Sequence, residues 1–137
     1  MNRNTGLLTT SLAPLLARLP GPKTERWPEG ERFAVGIEHG SMMVEHYVPI
    51  GRDTQQPHER DELYVIVAGS GMFECNGVRK PFQSGDVLFV PARAPHRFVE
   101  FSEDFATWAI FWGPIGGEAA TLPPVGAPMG EAPQESG

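Results

Sequence analysis

Cysteine is nearly absent from this chain. The single Cys75 cannot close an internal disulfide and leaves no set of thiols for a Cys-based zinc cluster, so neither a secreted disulfide scaffold nor a zinc ribbon is expected. Basic charge is scarce as well: 11 Lys and Arg stand against 17 Asp and Glu, a net charge of −6 with no run of like charges. Nucleic acids and anionic membranes are bound mainly through dense basic charge, so neither is an expected partner. No stretch approaches the roughly 20 apolar residues that a membrane-spanning helix requires. Long helical periodicities and internal repeats are also missing. What the chain has in quantity is turn formers, 16 Gly and 14 Pro among 137 residues, in a length suited to one domain.

Three regions follow from the patterning. Residues 1–30 form an N-terminal arm in which Leu12, Leu15, Leu16 and Leu19 fall at helical spacing, predicting a short helix within Thr9 to Leu19 capped by Thr10 or Ser11, with Pro14 in its first turn. The apolar run there is short and is broken by Pro14 and Arg18, so the segment reads as a helix packed outside the domain rather than an export signal. A cytoplasmic location is the expectation. Residues 31–113 carry eight short β signals, at 31–38, 41–50, 62–69, 71–75, 78–82, 86–90, 96–101 and 105–112, each bounded by Gly, Pro, Asn or Asp. Asn76-Gly77 predicts a tight type I′ hairpin turn. Short, regularly spaced strands without long helices predict an all-β sandwich or barrel. From Pro114 to Gly137 the chain repeats Pro, Gly and Ala with no hydrophobic period, predicting a flexible tail.

Two strands are apolar on both faces, Tyr64-Val65-Ile66-Val67 and Trp108-Ala109-Ile110-Phe111-Trp112. Their outer side then needs a cover that the short arm supplies only in part, and a second copy of the chain, a homodimer, is the economical one.

Four histidines are present. His58 ends a polar loop four residues before Glu62, which opens the most hydrophobic strand, and His96 begins another strand after Pro91-Ala92-Arg93-Ala94-Pro95. Two neutral imidazoles and one carboxylate brought together from separate strands make the donor set that suits Fe(II) and also Mn, Ni, Co or Zn. Read as isolated residues, the same three are ordinary loop, strand-edge and interior groups.

The stretch QPHERDELYVIVAGSG at 56–71 followed by GDVLFVPARAPHRF at 85–98 resembles the two paired motifs of the small single-domain cupins. Glu62 and Gly69 have the separation of the first motif, and Gly85, Pro91 and His96 stand in the order and spacing of the second. The resemblance covers about residues 30–113. It implies a jelly-roll β-barrel, usually dimeric, with one divalent metal near its mouth held by His58, Glu62 and His96. Three positions depart from the pattern. Gln56 stands where the first histidine of the His-x-His pair is expected, and its amide oxygen, a weaker ligand, is the candidate to join the other three on the metal. Arg93 replaces the Gly expected two residues after Pro91, and Glu100 replaces the Asn that ends the second motif.

Strand alternation places Tyr64 and Ile66 on the face of Glu62, so Tyr64 is a candidate to hold a substrate oxygen or donate a proton. His46 is a candidate acid/base group if its strand turns Met42, Val44 and Val48 inward; the opposite parity puts Met43, Glu45 and Tyr47 inside. Asp61 reads as a solvated edge or a loop-orienting link, and Cys75 as a structural thiol. The expected function is a metal-dependent enzyme acting on a small organic molecule. An Fe(II) dioxygenase comes first, with a non-redox lyase, isomerase or cyclase beside it. A barrel that binds a small ligand without turnover is the reading from another class, supported by Gln56 in place of histidine.

Overall fold

The computed structural model describes residues 8–119. Eight strands follow one short helix: α1 (Leu12–Leu16), β1 (Phe33–His39), β2 (Met42–Tyr47), β3 (Asp61–Ala68), β4 (Ser70–Cys75), β5 (Val78–Gln83), β6 (Val87–Val90), β7 (His96–Val99) and β8 (Ala106–Trp112). All eight expected strands form. The helix is shorter than its leucine pattern, because Pro14 is tolerated only in a first turn and Pro20 disfavours helical backbone at Leu19. Ser11 is the N-cap residue, and Leu15 is the buried contact of α1.

The strands pair antiparallel in two sheets, one of five strands in the order β1-β2-β8-β3-β6 and one of three in the order β5-β4-β7. Facing each other, they make an all-β jelly-roll barrel. Strand alternation assigns the faces. Met43, Glu45 and Tyr47 of β2, Glu62, Tyr64 and Ile66 of β3, and Thr107, Ala109 and Phe111 of β8 point inward, paired as Glu62 with Phe111, Tyr64 with Ala109 and Glu45 with Ala109. Phe73, Phe82, Phe98 and Phe105 fill one end of the barrel, with Phe98 4.6 Å from Phe105 and 4.8 Å from Tyr64 between ring centres. That aromatic plug fills one end of the barrel, and the larger cavity lies toward the other.

At two of the turns left-handed backbone selects the residue. Asn76 and Gly77 both have positive φ, 52° and 82°, as a type I′ hairpin demands. Gly69, between β3 and β4, has φ +92° and lies so close to the Phe105 backbone that a Cβ would sit 2.6 Å from its Cα. Only glycine meets both conditions.

The C-terminal region begins later than its composition suggests. Gly116 N–H donates to the Glu59 carbonyl at 2.7 Å, and Asp61 accepts from Ala92 N–H and Glu118 N–H, both at 2.9 Å. Asp61 is therefore 6% exposed, a buried clamp rather than a solvated edge, and it ties residues up to 118 to the barrel. The remainder of the expected tail, 120–137, lies outside the described residues, as do residues 1–7. Among the described residues no helix is long and apolar enough to cross a membrane.

Candidate metal centre

Three elements converge at the open end of the barrel. Glu62 comes from β3 in the larger sheet, His96 opens β7 in the smaller one, and His58 hangs from the loop between β2 and β3. Their ligand atoms lie within 4.8 Å of one another. His58 Nε2 stands 3.8 Å from Glu62 Oε1, and His96 Nε2 stands 3.3 Å from the same oxygen. Backbone contacts hold both residues: Arg93 N–H donates to the His58 backbone carbonyl at 2.6 Å and places its loop, while the His96 ring is fixed by Nδ1, 2.8 Å from the Ala94 carbonyl. A carbonyl only accepts, so Nδ1 carries the proton and Nε2 presents its lone pair to the centre.

Glu62 supplies the test of fit. Its carboxylate is 1% exposed, yet neither oxygen has a hydrogen-bond partner among the described residues; the contact to His96 is close but off alignment. A buried, unsatisfied carboxylate costs several kcal/mol unless a cation or donor meets it. A divalent ion on Glu62, His58 and His96 removes that cost, and the donor set matches one.

Electrostatics support lone pairs rather than charges at His58. Burial lowers its pKa below the ordinary imidazole value, with His96 and Arg26 acting in the same direction and the Glu62 carboxylate opposing. For His96 burial also pulls downward, but the Glu62 carboxylate and the Ala94 carbonyl outweigh it and raise the pKa. Protonation of His96 therefore competes with metal binding as pH falls.

The centre opens on a cavity of about 750 Å³ lined by Trp27, Phe33, Met43, Glu45, Tyr47 and Phe111 among others, with Arg26, Glu38 and Arg60 also on its wall. Ala109, the small side chain between Glu45 and Tyr64 on neighbouring strands, leaves room for it. Glu45 is the acid that strand parity alone left open. Its pKa is pushed up to about 8, chiefly by burial and then by Glu62 and Glu31. Tyr64, fully buried, has a phenol raised well above its usual value, again mainly by burial, so it stays neutral and donates to Gln55 Oε1 at 3.0 Å or His96 Nε2 at 3.1 Å.

Two expected residues lie elsewhere. His46 belongs to the outward parity of β2: it is 2% exposed beside Trp108, with ring centres 5.6 Å apart and both nitrogens unpartnered among the described residues. It does not line the cavity, and burial keeps it neutral. Gln56 is exposed, whereas Gln55 turns inward. Counting two residues back from His58 assumes extended strand, but β3 starts only at Asp61. Instead Asp53 Oδ1 accepts the Gln55 N–H at 3.0 Å, an Asx turn that rotates Gln55 toward His58. Asp-x-Gln ahead of Pro57 is the signal that marks such a turn in the sequence.

The two remaining motif departures keep the backbone that the family pattern serves. Arg93 and Glu100, standing where Gly and Asn are expected, have φ of 68° and 52°. The left-handed requirement survives while the residues suited to it are gone.

Comparison with known proteins agrees with this architecture. In a search of curated sequences an uncharacterized protein of Streptomyces coelicolor is 34% identical over 62 residues, covering 45% of this chain and 59% of that protein's length. Among solved structures, a Cupin 2 conserved barrel domain protein from Salinispora arenicola superposes with a TM-score of 0.52 at 20% identity, over 59% of this chain and 74% of the other. KdgF from Halomonas sp. gives 0.52 at 20% identity, over 58% and 76%. These likenesses show the fold. The Cupin domain family model matches residues 43–111, half of the chain, and with both motifs seated in the barrel at their expected strands this protein belongs to the cupin family.

Proposed function

We propose that this cupin is a metal-dependent enzyme acting on a small organic molecule, with His58, Glu62 and His96 as metal ligands and with Glu45 as the proton-bearing group facing the substrate. The observation that carries the reading is the unpartnered Glu62 carboxylate between two imidazoles, one of which, His58, lines the cavity together with Glu45. A divalent ion held there supplies Lewis-acid polarisation of a substrate oxygen. Burial, and after it the neighbouring carboxylates, hold the Glu45 pKa up at about 8 in the metal-free protein, which suits this carboxyl to giving or taking a proton. Tyr64 is fully buried behind the centre and donates its one proton within the site, to Gln55 or His96. The Trp27, Phe33 and Phe111 rings supply apolar walls that exclude water.

A buried acid that holds its proton on the cavity wall favours proton-transfer chemistry, as in a lyase or isomerase. The second reading, Fe(II)-dependent oxygenation, rests on the two-His, one-Glu donor set, and uptake of O2 by iron-loaded protein separates the two. The first experiment is elemental mass spectrometry of untagged protein purified without added metal, beside a His58→Ala, His96→Ala control. About one equivalent of Fe, Mn, Ni, Co or Zn, lost in the control, is expected. Absence of metal from both proteins, even after reconstitution, overturns the reading and leaves a ligand-binding barrel.

We also infer that a second copy covers the outer face of the five-stranded sheet. Leu63, Val65, Val67, Ile110 and Trp112 lie there with Val87 and Phe89, which remain 58% and 54% exposed. A two-fold axis would bring this patch of one copy against the same patch of the other and cover both.

A further inference from the structure

The donors around the centre do not end with Glu62. Asp53 is buried and accepts four hydrogen bonds: from Tyr47 Oη at 2.6 Å and Gln55 N–H at 3.0 Å on Oδ1, and from Gln55 Nε2 at 2.8 Å and Phe98 N–H at 2.9 Å on Oδ2. A carboxylate bonded this way only accepts, so the amide edge of Gln55 facing it must be the NH2 group. The other edge, Oε1, is thereby aimed at the centre, 3.3 Å from His58 Nε2 and 3.0 Å from the Tyr64 hydroxyl.

Four donors now follow in sequence around one space. Gln55 Oε1 to His58 Nε2 is 3.3 Å, His58 Nε2 to Glu62 Oε1 is 3.8 Å, and Glu62 Oε1 to His96 Nε2 is 3.3 Å. Ligands about 2.1 Å from a first-row divalent ion stand about 3.0 Å apart along an octahedral edge and about 3.4 Å along a tetrahedral one. The spacing of Gln55 from His58 is therefore that of neighbouring ligands. Tyr64 is consistent with this arrangement: its one proton faces two acceptors, Gln55 Oε1 and His96 Nε2, and a metal on His96 commits that proton to Gln55.

We propose that Gln55, not Gln56, is a fourth protein ligand, and that Asp53 is the positioning residue that fixes its amide with oxygen toward the metal. The proposal rests on the metal reading above. It makes the centre two imidazole nitrogens, one carboxylate and one neutral amide oxygen. A loop residue one place off the family spacing thus completes the shell, and its orientation is set from β7 through Asp53 and Phe98.

The test is Co(II) titration of metal-free full-length protein by calorimetry, with the visible d–d spectrum of the loaded form. Wild type takes up one equivalent. Gln55→Ala binds about 10- to 100-fold more weakly, the range seen when metal-site partners are removed, and its d–d bands move; Gln56→Ala matches wild type in both. Gln55→His, which keeps a donor at similar reach, restores affinity to within several-fold but shifts the bands, since nitrogen replaces oxygen. Gln55→Ala with wild-type affinity and bands overturns the proposal, as do unchanged bands in Gln55→His. Wild-type protein that takes up no Co(II) overturns the metal reading itself, a result distinct from either.

Discussion

Asp53→Asn is the substitution in which the architecture of this loop is most exposed to measurement. Asp53 carries two donors on each carboxylate oxygen, joining β2 through Tyr47, the following loop through Gln55, and β7 through Phe98. Asparagine has nearly the same shape, but one oxygen becomes an NH2 group and two of the four donors then face another donor. Each buried donor left unsatisfied costs about 1–3 kcal/mol, which gives about 2–6 kcal/mol. A second cavity borders Asp53 and admits water to part of the cluster, so the expected loss lies in the lower half, about 2–4 kcal/mol. Domains of this kind are stable by roughly 5–15 kcal/mol, so the variant folds with a visibly lower urea midpoint at unchanged m-value. Gln55 loses its fixed orientation as well, and Co(II) affinity is expected to fall about tenfold in the same protein. A stability loss below about 1 kcal/mol refutes the claim that the four hydrogen bonds are mutually dependent on a carboxylate.

Other consequences follow from individual side chains. Between pH 4.5 and about 8 folded Glu45 holds a proton that the unfolded chain has released, so stability falls as pH rises through that interval. At about 1.4 kcal/mol per pH unit the effect is on the order of 5 kcal/mol. In metal-free protein Glu45→Gln is expected to gain on wild type steadily from pH 5 to pH 8 in urea unfolding, and a constant difference contradicts the burial argument. Glu100 holds left-handed backbone at φ 52° with an exposed side chain near Arg79, so Glu100→Asn is expected to raise stability by about 0.5–1 kcal/mol, read as a higher Tm; a lower Tm speaks against backbone cost at that position. Val87→Lys with Phe89→Lys is expected to halve the mass in light scattering if a second copy covers the outer sheet face, and wild-type protein at monomer mass removes that inference.

Much of the fold is legible in the amino-acid order, because it is decided locally. Each strand is a short run of β-branched and aromatic residues closed by a turn former, and Asn76-Gly77, Gly69 and Gly85 mark places where only a few residues tolerate the backbone. The donor set is legible for a related reason: His58, Glu62 and His96 lie at motif spacings that strand geometry converts into proximity. Three matters were settled only when the chain closed on itself. The parity of β2 depends on which of its faces the five-stranded sheet turns toward the barrel interior, and Met43-Val44-Glu45-His46 suits either choice; the barrel turned Glu45 in and His46 out. The assignment of Gln55 rather than Gln56 depends on an Asx turn whose carboxylate is held from β7, 45 residues away. Asp61, charged and flanked by charges, reads as solvated until two backbone N–H groups from distant segments are brought to it. Periodicity and turn chemistry are properties of neighbours in the chain, and they set the strands and the ligand types. Which polar group is buried, which face it takes and what it must satisfy are properties of neighbours in space.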